Sequence, residues 1–240
     1  MDKIDITMTA TIRPSILDKT LSSFCANLFK DTDRCNLILN IDNIGEEKPR
    51  EEVLKVASKY FKNIIVNYSV EPNFSKAVIW AFSQTTEKYV FNLEDDWILL
   101  KPINIDLMIE CLEKYYSLVS LRLNKDKLES QKSTGDYILS PLNMLSLNPT
   151  LFKGDFIRSV YPLMNPNLNP EKQLRKDHKT ERGKYIAKWN YGIYTKETSS
   201  IVIIDIGRNW IKKTKYFKDG NFINWRLKGE NIRSCLSQSR

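Results

Sequence analysis

Three consecutive carboxylates, Glu94, Asp95 and Asp96, interrupt the otherwise apolar stretch YVFNLEDDWILL. An ionised carboxylate left unpaired in an apolar interior is costly, so these groups need water at a strand end, basic partners or a metal ion. On an extended backbone alternate side chains share a face, so Glu94 and Asp96 are expected to point one way and Asp95 the other. Two carboxylates at i and i+2 opening on solvent make a hard oxygen site suited to Mg2+ or Mn2+. The competing reading is an acidic loop solvated after a strand; the apolar flanks, Trp97 included, argue against it.

The elements around this stretch alternate. KIDITMTAT (3–11) reads as a strand, and SILDKTLSSFCANLF carries apolar residues at helical spacing behind Pro14 and an S-x-x-D capping pattern, Ser15 to Asp18. CNLILNID (35–42) and NIIVNYSV (63–70) are expected as further strands, with a helix after each. Phe74, Ala77, Val78, Ala81 and Phe82 give the clearest helical face. YVFNL is then a short buried strand, followed by a helix over 105–116 and a strand at SLVSLRL. Strands separated by helices predict an α/β fold with a mostly parallel central sheet covered on both faces. In such sheets ligands bind beyond the carboxyl ends of the strands, where the acidic triplet falls. The second half is less regular: a polar loop over 124–136, a strand or two, a short helix at GDFIRSV, a Pro- and Asn-rich loop ending near Pro170, and a buried strand at SSIVIIDIG.

The order β-α-β-α-β followed by NFSKAVIWAFSQTTEKYVFNLEDDW resembles the nucleotide-binding half of a GT-A-fold, family 2-like glycosyltransferase. NFSKAVIWAF stands where that family has an asparagine-led helix, here with Asn73 and Lys76, and LEDDW stands at its D-x-D type metal motif. TATIRP puts Thr11, Arg13 and Pro14 where the first strand meets base and ribose, and NIDN puts Asp42 at a second-strand carboxylate that contacts the nucleoside. SLNPTLFKGDFIRSV resembles the acceptor-side segment, and PEKQLRK places Glu171 at a base carboxylate. The resemblance covers roughly residues 4–180. It implies Asp96 as principal metal ligand, Glu94 or Asp95 as metal or ribose partner, and transfer from a nucleotide-diphosphate sugar. The departures are Ser75 and Lys76 in place of glycines, and Asp205 in IVIIDIG where members carry a late histidine ligand. The single histidine, His178, is expected on a helix surface. Arg208, Lys212 and Lys213 could close over the diphosphate, or could form a plain basic exit segment. Glu171 is the candidate base if the transfer is an inverting displacement; helix-terminal stabilisation is its alternative role.

Composition bounds the rest. At 240 residues, with 42% hydrophobic and 28% charged, the chain can bury a substantial core. Residues 1–204 are expected as one glycosyltransferase-like domain, with a nucleotide-sugar half at 1–124 and an acceptor half at 125–204. Residues 205–240 form a basic, aromatic C-terminal extension packed on it. No stretch reaches membrane-span length and no leader is visible, so a soluble, cytoplasmic chain is the expectation, in a host cytoplasm if virus-encoded. Four scattered cysteines without a CxxC pair point to neither a disulfide framework nor a zinc site. The net charge of +8 is uneven: residues 1–170 hold 20 Lys+Arg against 22 Asp+Glu, residues 171–240 hold 17 against 7. That basic third, interleaved with Trp210, Tyr216, Phe217, Phe222 and Trp225, could face a polyanion or simply be solvated. It makes duplex DNA the expected acceptor through a hydroxymethylated base, similar to virus-encoded DNA-modifying glycosyltransferases. A saccharide or lipid-linked saccharide is the alternative. A nucleotidyltransferase lacks a glycine-rich triphosphate loop here. A binding protein that kept the fold without the activity is the reading from another class.

Overall fold

In the computed structural model, residues 2–126, 128, 135–140, 145–218 and 224–227 are described. β1 (Ile4–Ile12), β2 (Cys35–Gly45), β3 (Asn63–Tyr68) and β4 (Tyr89–Glu94) form a parallel block in the order β3-β2-β1-β4. α1 (Pro14–Asn27), α2 (Glu51–Ala57) and α3 (Phe74–Ser83) supply its crossovers. After β4 come β5 (Trp97–Leu99), α4 (Ile105–Lys114) and β6 (Leu118–Arg122). β7 (Tyr137–Leu139), β8 (Thr150–Lys153) and β9 (Asn190–Tyr194) complete an eight-stranded sheet, β3-β2-β1-β4-β8-β6-β9-β7. β8 runs antiparallel to both β4 and β6, and β7 antiparallel to β9, so the sheet is mixed, with four of its seven pairings parallel.

Both faces are covered, as the long apolar strands require. Leu17, Leu21 and Phe24 of α1, Val53 of α2 and Met108 of α4 pack on one face with Tyr89, Phe91 and Leu93. Val78 and Phe82 of α3, and Phe156 and Ile157 of α5 (Gly154–Val160), pack on the other with Val90. Successive residues of YVFNL therefore enter different cores, which is why four of its five residues are apolar, while the buried Asn92 donates to the Leu147 carbonyl. α3 starts where Asn73 Oδ1 accepts the Lys76 N–H at 2.9 Å, an N-cap.

The described part of the C-terminal third adds α6 (Pro170–Gln173), α7 (Glu181–Ala187), β10 (Ile203–Asp205) and α8 (Gly207–Lys213). A small hairpin follows, β11 (Tyr216–Lys218) with β12 (Trp225–Leu227). SSIVIIDIG is shorter as a strand than expected: β10 pairs only with β5, and Ile204 is 42% exposed. The polar loop over 124–136 and Phe222 fall largely outside the described residues.

Candidate active site

β1 shifts register against β2 between Ala10 and Ile12. Gly45 lies opposite, at φ +136°, where a side chain would strike the Ile12 carbonyl. The shift takes Thr11 out of the ladder, and its N–H donates instead to Asp95 Oδ2 at 3.0 Å. Bulges near sheet ends commonly re-aim a group in this way. Asp95 and Asp96 themselves form a two-residue turn between β4 and β5 rather than continuing the strand. The expected split within the triplet still holds, with the turn as its cause: Asp95 turns inward, while Glu94 and Asp96 open on the larger cleft.

Arg13 occupies the centre of this arrangement. Its side chain is 4% exposed and grips Asp95 through Nε, at 3.2 Å to Oδ2, and through Nη2 to Oδ1. Nη2 also reaches Asp96 Oδ2 at 3.2 Å, and Trp210 of α8 lies over the guanidinium at 4.9 Å. Burial alone would lower the Arg13 pKa, but the charges of Asp95 and Asp96 outweigh it and raise the value above normal. Pro14, at the first position of α1, directs the chain out of this corner. The sequence indicated that basic partners could resolve the acidic triplet. For Asp95 the partner is Arg13, joined by Thr11, whose Oγ1 also lies 3.4 Å from Oδ2.

Asp42, at the carboxyl end of β2, is 5% exposed and accepts from Asn40 Nδ2 at 3.0 Å. Burial pushes its pKa up to about 6, against the lowering effect of hydrogen bonds from Ser69, Asn40 and the Asn73 backbone. It shares a narrow pocket with Thr11, Arg13, Asp95 and Trp225. Asn73 borders this corner and donates through Nδ2 to Asn224 Oδ1 at 3.2 Å, so the C-terminal hairpin closes over the pocket.

The larger cleft, about 380 Å³, opens at the carboxyl end of β4. Its walls bring together four carboxylates, Glu94, Asp96, Glu171 and Asp205, with four cations, Lys125, Lys172, Arg175 and Arg208. Asp205 ends the β10–β5 pairing opposite Trp97, and its Oδ1 accepts the Gly207 N–H at 2.8 Å while its Oδ2 accepts from Arg208 Nε at 2.9 Å. The Ile206 N–H holds the Asp96 carbonyl at 2.8 Å, and α8 lies so close that a methyl group at Gly207 would run into the Asp96 carboxylate. Glu171 stands in the first turn of α6, behind the Asn169 cap.

Most of the residues singled out from the sequence thus converge. Lys76 and Lys212 do not: both are exposed and line neither cleft, and Lys76 lies 3.9 Å from Glu71. His178 is exposed in a bend between α6 and α7, not on a helix. Sequence reading missed the lining residues Lys125, Asn148, Lys172 and Arg175. Only the last two carried a signal, as neighbours of Glu171 in PEKQLRK. Trp210 and Trp225 were noted as tail aromatics, but they pack inward, ring to ring at 6.2 Å, over Arg13 and the pocket.

Among the described residues no three His, Cys, Asp or Glu side chains sit close enough to cage a metal. The oxygen chemistry of Asp96, Glu94 and Asp205 nevertheless fits Mg2+ or Mn2+, which are commonly held by one or two carboxylates together with substrate phosphates.

No family model and no curated protein matches the chain. Solved structures do. Residues 1–349 of S. aureus TarS, in complex with UDP, align at TM-score 0.53 and 10% identity, covering 82% of this chain and 59% of that one. The mannosyltransferase PcManGT from Pyrobaculum calidifontis, in complex with GDP-Man and Mn2+, aligns at 0.60 and 9%, covering 85% and 57%. GalNAc-T7 with UDP, GalNAc and Mn2+ aligns at 0.56 and 9%, covering 81% and 42%. The fold is that of GT-A glycosyltransferases. The chain spans less than two thirds of the length of each of these neighbours. No described helix is long and apolar enough to cross a membrane.

Proposed function

We propose that the chain is a metal-dependent glycosyltransferase that moves a sugar from a nucleotide-diphosphate donor to a hydroxyl. The observation that carries this reading is the convergence of Glu94, Asp96, Glu171 and Asp205 with Lys172, Arg175 and Arg208 on one cleft at the carboxyl end of β4. Three solved neighbours of this fold hold UDP, or GDP-Man, and two of them Mn2+, which makes a nucleotide-sugar the natural donor class.

In this reading the nucleoside lies in the larger cleft, about 380 Å³, and reaches toward the narrow pocket, which at about 40 Å³ admits only its edge. Asp42 accepts from its polar hydrogens, Thr11, Arg13 and Asn73 shape the walls, and Trp225 excludes water. Asp96, with Glu94 and Asp205, would hold Mn2+ or Mg2+. When bound, such a cation acts as a Lewis acid that stabilises the charge developing on the departing diphosphate. Arg208, Lys172 and Arg175 add fixed positive charge on the same cleft. Glu171 takes the proton of the acceptor hydroxyl while that oxygen bonds to the anomeric carbon and the phosphate oxygen leaves with the electron pair of the broken bond, an inverting displacement. Arg13 fixes Asp95 and Asp96 in place. Lys76 and Lys212, outside the clefts, contribute through long-range attraction of the donor.

For the acceptor we propose a hydroxymethylated base in DNA, on the strength of the 17 basic against 7 acidic residues in 171–240, and with it a cytoplasmic, virus-encoded setting. A saccharide acceptor is the second reading: Trp210 and Trp225 are half-buried and pack on each other and on Arg13, which leaves less of their faces for stacking on bases.

Consumption of UDP- and GDP-sugars with and without Mn2+ tests the central reading. The expected result is Mn2+-dependent turnover that drops about 100- to 1,000-fold in Asp96→Asn. Equal turnover in parent and variant would overturn the metal assignment. Binding of UDP or GDP without any turnover would favour a binding protein that shares the fold.

A further inference from the structure

A second cavity, of about 280 Å³, lies at the opposite end of the sheet. Its residues sit where β4, β6 and β9 begin: Lys88 precedes β4, Tyr116 precedes β6, Trp189 precedes β9, and Lys153 ends the antiparallel β8. The six residues of β4 separate it from the acidic cleft by about 17 Å.

Two features mark it as built for a ligand. The first is a run of aromatic rings. Phe156 stacks on Tyr185 at 6.1 Å, Tyr185 meets Trp189 edge-on at 6.2 Å, and Trp189 meets Tyr116 at 6.2 Å. Tyr116, at the outer end, is 83% exposed, and the Trp189 indole Nε1 is buried with no acceptor. The second is an ammonium with no direct ion pair, whose nearest attractive carboxylate, Glu113, is taken up by Lys88. Lys153 Nζ donates to the Tyr116 and Tyr115 carbonyls, at 3.1 and 3.5 Å, and lies 5.7 Å from the centre of the Tyr116 ring; among the described residues no carboxylate is within ion-pair distance of it. Lys88 at the same rim is already matched by Glu113 at 3.1 Å.

From this geometry we infer a second binding site that takes an anionic sugar unit, phosphorylated or carboxylated. Ring faces receive the C–H side of a pyranose. Its hydroxyls find acceptors in Glu113 and Asp155 and a donor in the Trp189 indole, and its anionic group meets Lys153. The two rim carboxylates repel polyanions, which disfavours a nucleotide or a nucleic acid strand. At about 280 Å³ the cavity is just below the usual span of ligand clefts, about 300–1,000 Å³, and suits one sugar unit. The site stands on these residues and does not depend on the transferase reading.

Ligand-observed NMR titration of the full chain with glucose 6-phosphate, glucuronate, glucose and inorganic phosphate tests it. Saturable millimolar binding is expected for the two anionic sugars, at least about fivefold tighter than for glucose or phosphate. Lys153→Met should erase the advantage over glucose. Tyr116→Ala, at an exposed position that leaves the fold intact, should weaken the sugar ligands and leave phosphate unchanged; circular dichroism confirms folding of both variants. Phosphate binding as well as the sugar phosphate, indifference to either variant, or the absence of saturable binding by both anionic sugars would each overturn the inference.

Discussion

Arg13 decides how the acidic triplet can exist. Asp95 is buried, and its oxygens are met by the Thr11 N–H and by the guanidinium, so removing the cation would leave a buried carboxylate with too few donors. Breaking a buried pair from one side typically costs about 3–5 kcal/mol. Arg13→Met is expected to lose stability on that scale in urea denaturation, and Arg13→Met combined with Asp95→Asn to recover most of it. Equal losses in single and double variants would show that the ion pair is not what Arg13 supplies. Asp42 gives the opposite sign. Its pKa rises from 3.8 to about 6 on folding, so the folded state holds the proton more tightly between these values. Stability is therefore highest below pH 4 with respect to this group and falls as pH rises through about 6, by about 3 kcal/mol in all. Asp42→Asn should be more stable than the parent above pH 7 and should flatten the slope between pH 4 and 6, as read from denaturation midpoints across that range. The sequence showed both residues as candidates, but not that Arg13 would be the partner of Asp95, because a contact between positions 82 apart leaves no local pattern.

At the scale of elements, the parallel block was legible because its signals are local. The helical face from Phe74 to Phe82 marks α3, and the largely apolar run YVFNL requires two covered faces. The second half was less legible for the opposite reason. β7 and β10 have three residues each and are held by partners distant in sequence, β9 and β5, so their short patterns underdetermine them. The register shift at Thr11 and the Asp95–Asp96 turn were also hidden. Both replace strand alternation locally, yet they leave the carboxylates divided much as alternation would have divided them. α8 shows what elements do for the site. Glycine at 207 is what lets the helix approach Asp96, and Trp210 one turn later covers Arg13. Neither consequence follows from the segment GRNWIKK alone, which reads equally well as a solvated basic helix.

At the scale of the whole molecule, charge separates the acceptor readings. The cleft itself is balanced, four carboxylates against four cations, so the +8 net charge comes from residues outside it, weighted in sequence toward 171–240. A duplex DNA acceptor would use that surface for phosphates, and each phosphate neutralised adds about 0.9 to the slope of log affinity against log salt. With about five such contacts, a threefold rise in salt should weaken duplex binding roughly 100-fold. Lys212 and Lys213 are exposed in the last turn of α8, the helix that carries Arg208 of the cleft wall. Reversing both, Lys212→Glu with Lys213→Glu, should lower the slope by about two if they touch phosphates, since each such lysine contributes about one. Fluorescence anisotropy with a labelled duplex at several salt concentrations measures both quantities. A chain that is not retained on duplex DNA even at low salt cannot use it as acceptor. The inward-facing Trp210 and Trp225 would then be seated for a saccharide-modifying enzyme, with the aromatic cavity at the far end of β4 as a second contact for the same class of ligand.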